Sequence, residues 1–384
     1  MASDFDVFST LAELARHGGS DLHLKVPSPP LMRIRGELVP LPGARPLVPA
    51  DTERALNDLL RDDGKRQEFA QHLEVDFACA IEGVSRFRVN AFRQRGSISL
   101  ACRAVPFGVR SRSELGLPRV IDDLASEPRG IVLVTGTTGS GKSSTLAAMV
   151  DHINQTMSRH IVTIEDPIEF LHQDRRSVIN QREVGLDTRS FSTALRHVLR
   201  QDPDVILIGE MRDEETVTAA LSAAETGHLV LSTLHTVDAP ETVNRIIDYF
   251  PTTHQGQVRA MLAGTLRGIV SQRLLGNADG TGVVPVCEIL RMTGRVRDMI
   301  VDPALTGQLL AAVADGGYYG MQTFDQALLE HLQAGRITLE AALSIASNPH
   351  DFELLVASGA AAGPSVGDVA PTLGRSAGPT LGAR

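Results

Sequence analysis

Tryptophan is absent from the 384 residues, and only three tyrosines are present. An aromatic platform on which the bases of a single strand could stack is therefore not expected. Cysteine is scarce as well. Cys79, Cys102 and Cys287 stand far apart and form neither a C-x-x-C metal pair nor a disulfide framework, which makes the reducing cytoplasm the expected compartment. No apolar run approaches the roughly 20 residues of a bilayer-crossing helix. The opening residues Met1-Ala2-Ser3-Asp4-Phe5-Asp6 are acidic where a secretory signal is basic. The formal net charge of −9 gives no global basic field to draw the chain to nucleic acid, although a local groove stays compatible with it. What is present is ordinary for a soluble globular protein, with 42% hydrophobic and 22% charged residues. The length calls for two or three domains.

Phe5, Phe8, Leu11, Leu14 and Ala15 recur at helical spacing, and Gly18-Gly19 stops that helix. Residues 20–26 alternate as a half-buried strand does, and 31–41 reads as a hairpin around Gly36-Glu37. One or two charged helices follow over 51–73. Strands are expected at 75–81, 85–92 and 97–105, so that residues 1–106 form a small α+β domain. Residues 107–127 connect it to the next.

From Gly130 strands alternate with helices. Strands are expected at 131–135, 160–164, 205–208 and 229–233, with helices at 142–156, near 190–200 and at 213–225. That order implies a doubly wound, largely parallel sheet over 128–253, with ligands at the carboxyl ends of its strands. Residues 254–356 read as mostly helical, including one helix over 254–273. The Ala-, Gly- and Pro-rich stretch 357–384, in which Pro371-Thr372-Leu373-Gly374 recurs as Pro379-Thr380-Leu381-Gly382, reads as a disordered tail.

The strongest motif is Gly136-Thr137-Thr138-Gly139-Ser140-Gly141-Lys142-Ser143, which fits G-x-x-x-x-G-K-[ST] between an aliphatic strand and a helix that continues through Ser144. Its glycines let backbone N–H groups turn inward onto phosphate oxygens at a helix N-terminus. Lys142 is placed to reach the β- and γ-phosphates, and the Ser143 hydroxyl to ligate Mg²⁺. The chain is expected to bind a nucleoside triphosphate with Mg²⁺.

Three further stretches follow or bracket strands. In Glu165-Asp166-Pro167-Ile168-Glu169 three carboxylates would repel one another unless a cation or water network shared the site. Beside a triphosphate, one of them can orient the attacking water. Asp204-Val205-Ile206-Leu207-Ile208-Gly209-Glu210 resembles a Walker B strand, except that Gly209 takes the usual acidic place and Glu210 comes next. Glu210 is therefore expected to meet the metal through water. His228 and His235 bracket the strand at 229–233. They either frame the site together or lie at opposite strand ends, where only one could touch nucleotide; a histidine there can donate to a phosphate oxygen.

In order, these four stretches resemble the Walker A, Asp box, Walker B and His box of the secretion ATPase superfamily that powers type II secretion and type IV pili. Gly19-Ser20-Asp21-Leu22-His23-Leu24, Arg86-Phe87-Arg88-Val89-Asn90-Ala91-Phe92, Asn180-Gln181-Arg182-Glu183-Val184 and Gly320-Met321-Gln322-Thr323-Phe324-Asp325 resemble the pilus retraction ATPases, and the similarity runs from residue 4 to 355. The resemblance implies a homohexameric ring of subunits, each with an N-terminal PAS-like domain and a RecA-like P-loop ATPase domain. It places the catalytic glutamate on Glu169, the Walker B acid on Glu210 and the His-box residues on His228 and His235. Arg88, Arg95 and Arg103 are its candidates for arginines that reach the phosphates. The partner it implies is the inner-membrane pilus platform protein, met from the cytoplasmic face without the ATPase crossing the bilayer.

The retraction ATPases carry an Ala-Ile-Arg-Asn-Leu-like motif. Here Arg295-Val296-Arg297-Asp298-Met299 stands in its place, which leaves both a retraction motor and an accessory paralogue in view. Assembly motors of the superfamily add N-terminal domains and a four-cysteine zinc site, and neither is expected here. A DNA-pumping ATPase is disfavoured by the acidic balance.

Overall fold

The computed structural model describes residues 5–106 and 108–358. They build two sheets. The first contains β1 (Asp21–Leu24), β2 (Leu31–Ile34), β3 (Glu37–Pro40), β4 (Glu74–Ile81), β5 (Ser85–Gln94) and β6 (Ser97–Val105), in the order β3-β2-β1-β6-β5-β4. Every neighbouring pair is antiparallel. The β2–β3 turn runs through Arg35 and Gly36, both at positive φ, one residue earlier than the sequence suggests. Along β5, Phe87, Val89 and Ala91 are buried in the core, so the period of two puts Arg86 and Arg88 together on the opposite face. Helices Val7–Arg16, Pro49–Leu59 and Asp63–His72 contribute to the core of this sheet through Leu11, Leu14, Leu56, Leu59 and Phe69.

The second sheet contains β7 (Gly130–Thr135), β8 (His160–Glu165), β9 (Val178–Glu183), β10 (Val205–Ile208), β11 (Leu229–Leu234), β12 (Leu266–Gly276) and β13 (Val283–Arg291). Their order is β13-β12-β7-β11-β10-β8-β9. Only the β12–β13 pair is antiparallel; the other pairs are parallel. The central strands read as unbroken apolar runs because they are covered on both faces. One face of β7 packs Val132 and Val134 against Leu146, Val150 and Ile153 of helix Lys142–Thr156. The other packs Ile131 and Leu133 in the cluster that holds Leu221 of helix Glu214–Glu225 and Ile246 of helix Ala239–Asp248. Asp213 and Asp238 start these last two helices by accepting from Thr216 N and Glu241 N.

The fold departs from the sequence-based expectation in several places. The helix expected over 254–273 stops at Thr265, and the chain continues as β12 and then β13, so the part after 254 is not simply helical. The run Ile269-Val270 favours a strand, and Gly268 lets it lie close: an added Cβ would meet Leu124 Cδ2 at 2.7 Å and Leu290 O at 3.0 Å. Edge strand β9 carries Asn180, Gln181, Arg182 and Glu183 and so shows no apolar run to read. Helix Ala239–Asp248 is a further addition. The stretch 107–127 contains helix Val120–Ala125, whose Ile121 and Leu124 are fully buried against the second sheet. The expected tail from residue 359 on lies outside the described residues; before it, helix Pro349–Ala357 completes a satellite cluster around Phe324, Leu328 and Phe352.

Candidate functional site

The cleft lies at the carboxyl ends of β7, β8, β10 and β11, and measures about 540 Å³. The phosphate-loop motif joins β7 to helix Lys142–Thr156, with Gly136, Gly139 and Gly141 all at positive φ. Two of these glycines are demanded by close approach as well. A Cβ on Gly136 would stand 2.4 Å from Gln272 O, and one on Gly141 would stand 2.7 Å from Gln272 Nε2. Gln272 of β12 lies behind the loop, where its Nε2 donates to Ser140 O at 2.8 Å and its Oε1 accepts from Thr145 Oγ1 at 2.7 Å. The only local sign of this residue is a polar pair, Ser271-Gln272, inside an apolar run.

Thr138, Gly139, Gly141, Lys142, Ser143 and Ser144 line the cleft, whereas Gly136, Thr137 and Ser140 shape the loop without lining it. Lys142 Nζ donates to Gly136 O at 2.8 Å and to Thr137 O at 3.0 Å. Burial presses its pKa below the ordinary lysine value, against the charges of Glu210 and Glu169, which hold it up.

The three carboxylates at the end of β8 and just beyond it are kept apart by their surroundings. Glu165 is partly buried, and the loss of water around its carboxyl pushes its pKa up; its Oε1 accepts from Thr163 Oγ1 at 2.6 Å and from Gln181 Nε2 at 3.2 Å. Asp166 and Glu169 are exposed and face the cleft. Glu165 is thus occupied in holding the fold, while Glu169 is open to a ligand.

Across the cleft, Glu210 follows β10. Arg212 Nη2 lies 2.8 Å from its Oε2, and His235 Nε2 lies 3.3 Å from its Oε1. Burial alone would raise the Glu210 pKa, but the bond and charge of Arg212, with His235, outweigh it and hold the carboxyl below its usual range. Gly209 beside it has its N–H on Ile164 O at 2.8 Å. Arg212, Phe170, His172 and Phe191 also line the cleft, and sequence reasoning gave none of them a role, although Phe170 and Arg212 stand at the ends of the acidic and Walker B-like stretches. Burial drives the His172 pKa down to about 4, against the charge of Asp151, so this ring is neutral at physiological pH.

The remaining candidates are not brought to the cleft within the chain. His228 precedes β11, at the strand end opposite His235, and its Nδ1 donates to Ala223 O at 2.9 Å. The strand is extended, so the two rings are held a full strand length apart, and His228 does not join His235 in this chain's cleft. Arg103 Nε pairs with Asp21 at 2.8 Å on the first sheet, and Arg95 sits in the β5–β6 turn at positive φ. Arg88 reaches the rim but commits its Nη2 to backbone, at 2.5 Å from Ile168 O and 3.3 Å from Pro167 O. Among the described residues no group of three or more His, Cys, Asp or Glu side chains could hold a metal by itself, and no helix is long and apolar enough to cross a membrane.

Residues 113–303 match the family model described as type II/IV secretion system protein. The chain is 44% identical over 349 residues to the type IV pilus retraction ATPase PilT of Pseudomonas aeruginosa, covering 90% of this chain and 100% of that one. It is 40% identical over 343 residues to the type IV pilus ATPase PilU of the same organism, covering 89% of each. Among solved structures, the pilus retraction motor PilT with bound ADP superposes with a TM-score of 0.83 at 44% identity, covering 91% of this chain and 100% of that chain.

Proposed function

The chain belongs to the PilT-like secretion ATPase family, and on that premise we propose that it is a retraction motor of type IV pili, in which ATP hydrolysis drives pilus disassembly and twitching motility. The observation that carries the hydrolytic part of this reading is the convergence of Lys142, Ser143, Glu169 and Glu210 on one cleft beside a phosphate loop, and the likeness to PilT supports retraction. The loop amides and Lys142 bind the phosphates and stabilise charge that develops during transfer. Glu169, exposed on its loop, orients the attacking water. Arg212 and His235 keep Glu210 ionised and fixed in direction, and His235 lines the same cleft.

The donor set suits Mg²⁺: a hydroxyl on Ser143 and an ionised carboxylate on Glu210 offer hard oxygen, and a cation that keeps its waters and leans on substrate phosphates needs no all-protein cage. When bound, it would neutralise phosphate charge, with Ser143 as direct ligand and Glu210 acting through water. The working form proposed is a homohexameric ring at the inner face of the cytoplasmic membrane, engaging the pilus platform protein, with no nucleic acid involved. The first sheet and its helices are read as the PAS-like domain and the second sheet as the core of the RecA-like ATPase domain. Arg95 and Arg103, which lie off the cleft within the chain, and His228 would serve nucleotide only across a subunit boundary.

One feature favours an accessory, PilU-like role: the departure at Arg295–Met299. In helix Gly294–Val301 the apolar Val296 and Met299 are buried while Arg295, Arg297 and Asp298 are exposed, so the departures alter surface as well as packing. The test is retraction in cells lacking the gene, complemented with wild type or Glu169→Gln. Immobile, accumulated pili rescued only by the wild type are the expected result. Absent pili would overturn retraction in favour of assembly, and unchanged pili would favour the accessory role.

A further inference from the structure

The stretch Asn180–Val184, conspicuous in the sequence but absent from the cleft, runs along edge strand β9 and its end, directly behind the loop that carries Glu169. Two of its side chains hold that loop. Gln181 Nε2 donates to Phe170 O at 2.9 Å, and Gln181 Oε1 accepts from His172 N at 2.9 Å. Glu183 Oε2 accepts from Ile168 N at 3.1 Å. The same oxygen accepts from Arg86 Nη2 at 3.1 Å, and Arg86 belongs to β5 of the other sheet. Arg88, two residues along the same face of β5, donates to Ile168 O at 2.5 Å. Ile168 is therefore held at both backbone polar groups, its N–H through Glu183 to Arg86 and its carbonyl by Arg88. The next residue is Glu169.

This connection is not an ordinary surface ion pair. The Arg86 and Glu183 side chains are only 17% and 10% exposed. A guanidinium and a carboxylate taken out of water hold each other firmly, because removing either partner strands a buried charge. Both arginines also leave Nε buried without a hydrogen-bond partner among the described residues, so their Nη2 contacts are kept at a cost.

We propose that Arg86 and Glu183, with Arg88, form the strut by which the antiparallel-sheet unit sets the position of Glu169 over the cleft. Seated on the loop, the unit pins Ile168 at both ends; displaced, it releases both. Hydrolysis is thereby tied to the seating of one unit on the other. This rests on the reading of Glu169 as the residue that orients water. Arg86, Arg88 and Glu183 are positioning residues, and they act on turnover rather than on nucleotide binding.

The experiment measures steady-state ATP hydrolysis and the affinity for fluorescent ADP in the full chain, for wild type, Arg86→Gln, Glu183→Gln, the double variant and Glu169→Gln. Each single change at the pair is expected to lower kcat by about ten- to a hundredfold, the loss expected of a misplaced reacting group. KM and ADP affinity should stay within about threefold, since an interaction that matters only in the transition state leaves ground-state binding alone. The double variant should cost no more than the worse single change, because the two residues act as one unit. It leaves no unpaired buried charge, so it carries the measurement if a single variant fails to fold. A kcat within about twofold of wild type in the folded double variant, or a parallel fall in kcat and ADP affinity, would overturn the strut. Wild-type hydrolysis in Glu169→Gln would instead overturn the role of Glu169, and the strut with it. Loss in Glu169→Gln with full turnover in the pair variants would sink the strut alone.

Discussion

Gly209 and Ile164 meet at the carboxyl ends of β10 and β8 so closely that the Gly209 N–H bonds Ile164 O at 2.8 Å, and a Cβ on Gly209 would stand 3.3 Å from the same oxygen. The next atom it would meet is Glu165 Cα at 3.4 Å, so the obstacle is backbone on both counts. A side chain at 209 would press on strand-end backbone, whereas Glu210 lines the cleft without that contact. Gly209→Asp, which writes the usual acid back into the motif, is expected to lower stability by about 1–3 kcal/mol through overpacking and to reduce hydrolysis as well. Thermal unfolding and steady-state turnover check both; a wild-type midpoint would mean that the two strand ends part at little cost.

Gln272 is expected to matter for binding rather than for the chemical step. Gln272→Leu leaves Ser140 O and Thr145 Oγ1 without their buried partner, and such losses cost about 1–3 kcal/mol. A loop so loosened should bind ADP roughly tenfold more weakly, each tenfold being about 1.4 kcal/mol. Fluorescent-ADP titration provides the readout. Unchanged affinity would show that the loop glycines hold their shape unaided.

The two histidines around β11 should separate cleanly. His235→Ala removes a side chain 3.3 Å from Glu210 and is expected to lower kcat by about tenfold with ADP affinity kept. His228→Ala removes the bond to Ala223 O and should cost stability by about 1 kcal/mol without changing turnover of the cleft in its own chain. Equal losses of kcat in both variants would mean that His228 serves a nucleotide after all, from a neighbouring subunit.

Glu288 of β13 supplies a pH dependence. Burial pushes its pKa from 4.5 up to about 7, helped by Asp238 and Asp325 and opposed by Arg273 and by the bond its Oε1 accepts from Ala239 N. The folded state therefore binds a proton that the unfolded state has lost, and the contribution of Glu288 to stability declines as pH rises from 4.5 through about 7. Glu288→Gln keeps an acceptor for Ala239 N without the charge. It should raise the unfolding midpoint at about pH 8, with the gain vanishing toward about pH 4.5. A gain that does not change with pH would place the ionisation of Glu288 elsewhere.

The sequence is legible wherever a signal is local. The phosphate loop can be read because phosphate chemistry fixes both residue types and spacing, and Gly136, Gly139 and Gly141 take positive φ as such a loop requires. The central strands can be read because burial on two faces demands unbroken apolar runs. The helix starts at Asp213 and Asp238 rest on the same side-chain capping, although only the first stands in a stretch whose alternation announces it. Legibility fails at β9, whose side chains are largely polar, and at β12, where the run after Thr265 could be helix or strand until β7 offers it a parallel edge.

The motifs are thus written in the chain itself: the Gly-rich loop with its Lys-Ser pair, the acids that follow the strands, and the alternation of strands and helices around them. Which of those residues meet was settled only by packing. The fold placed Glu210 between Arg212 and His235. It set Gln272 behind a loop residue 132 positions earlier, and joined Arg86 to Glu183 across two sheets. The reason is physical. Backbone preference and burial act over a few residues and leave periodic marks, whereas a hydrogen bond between distant strands depends on register and packing, which no local stretch of sequence contains.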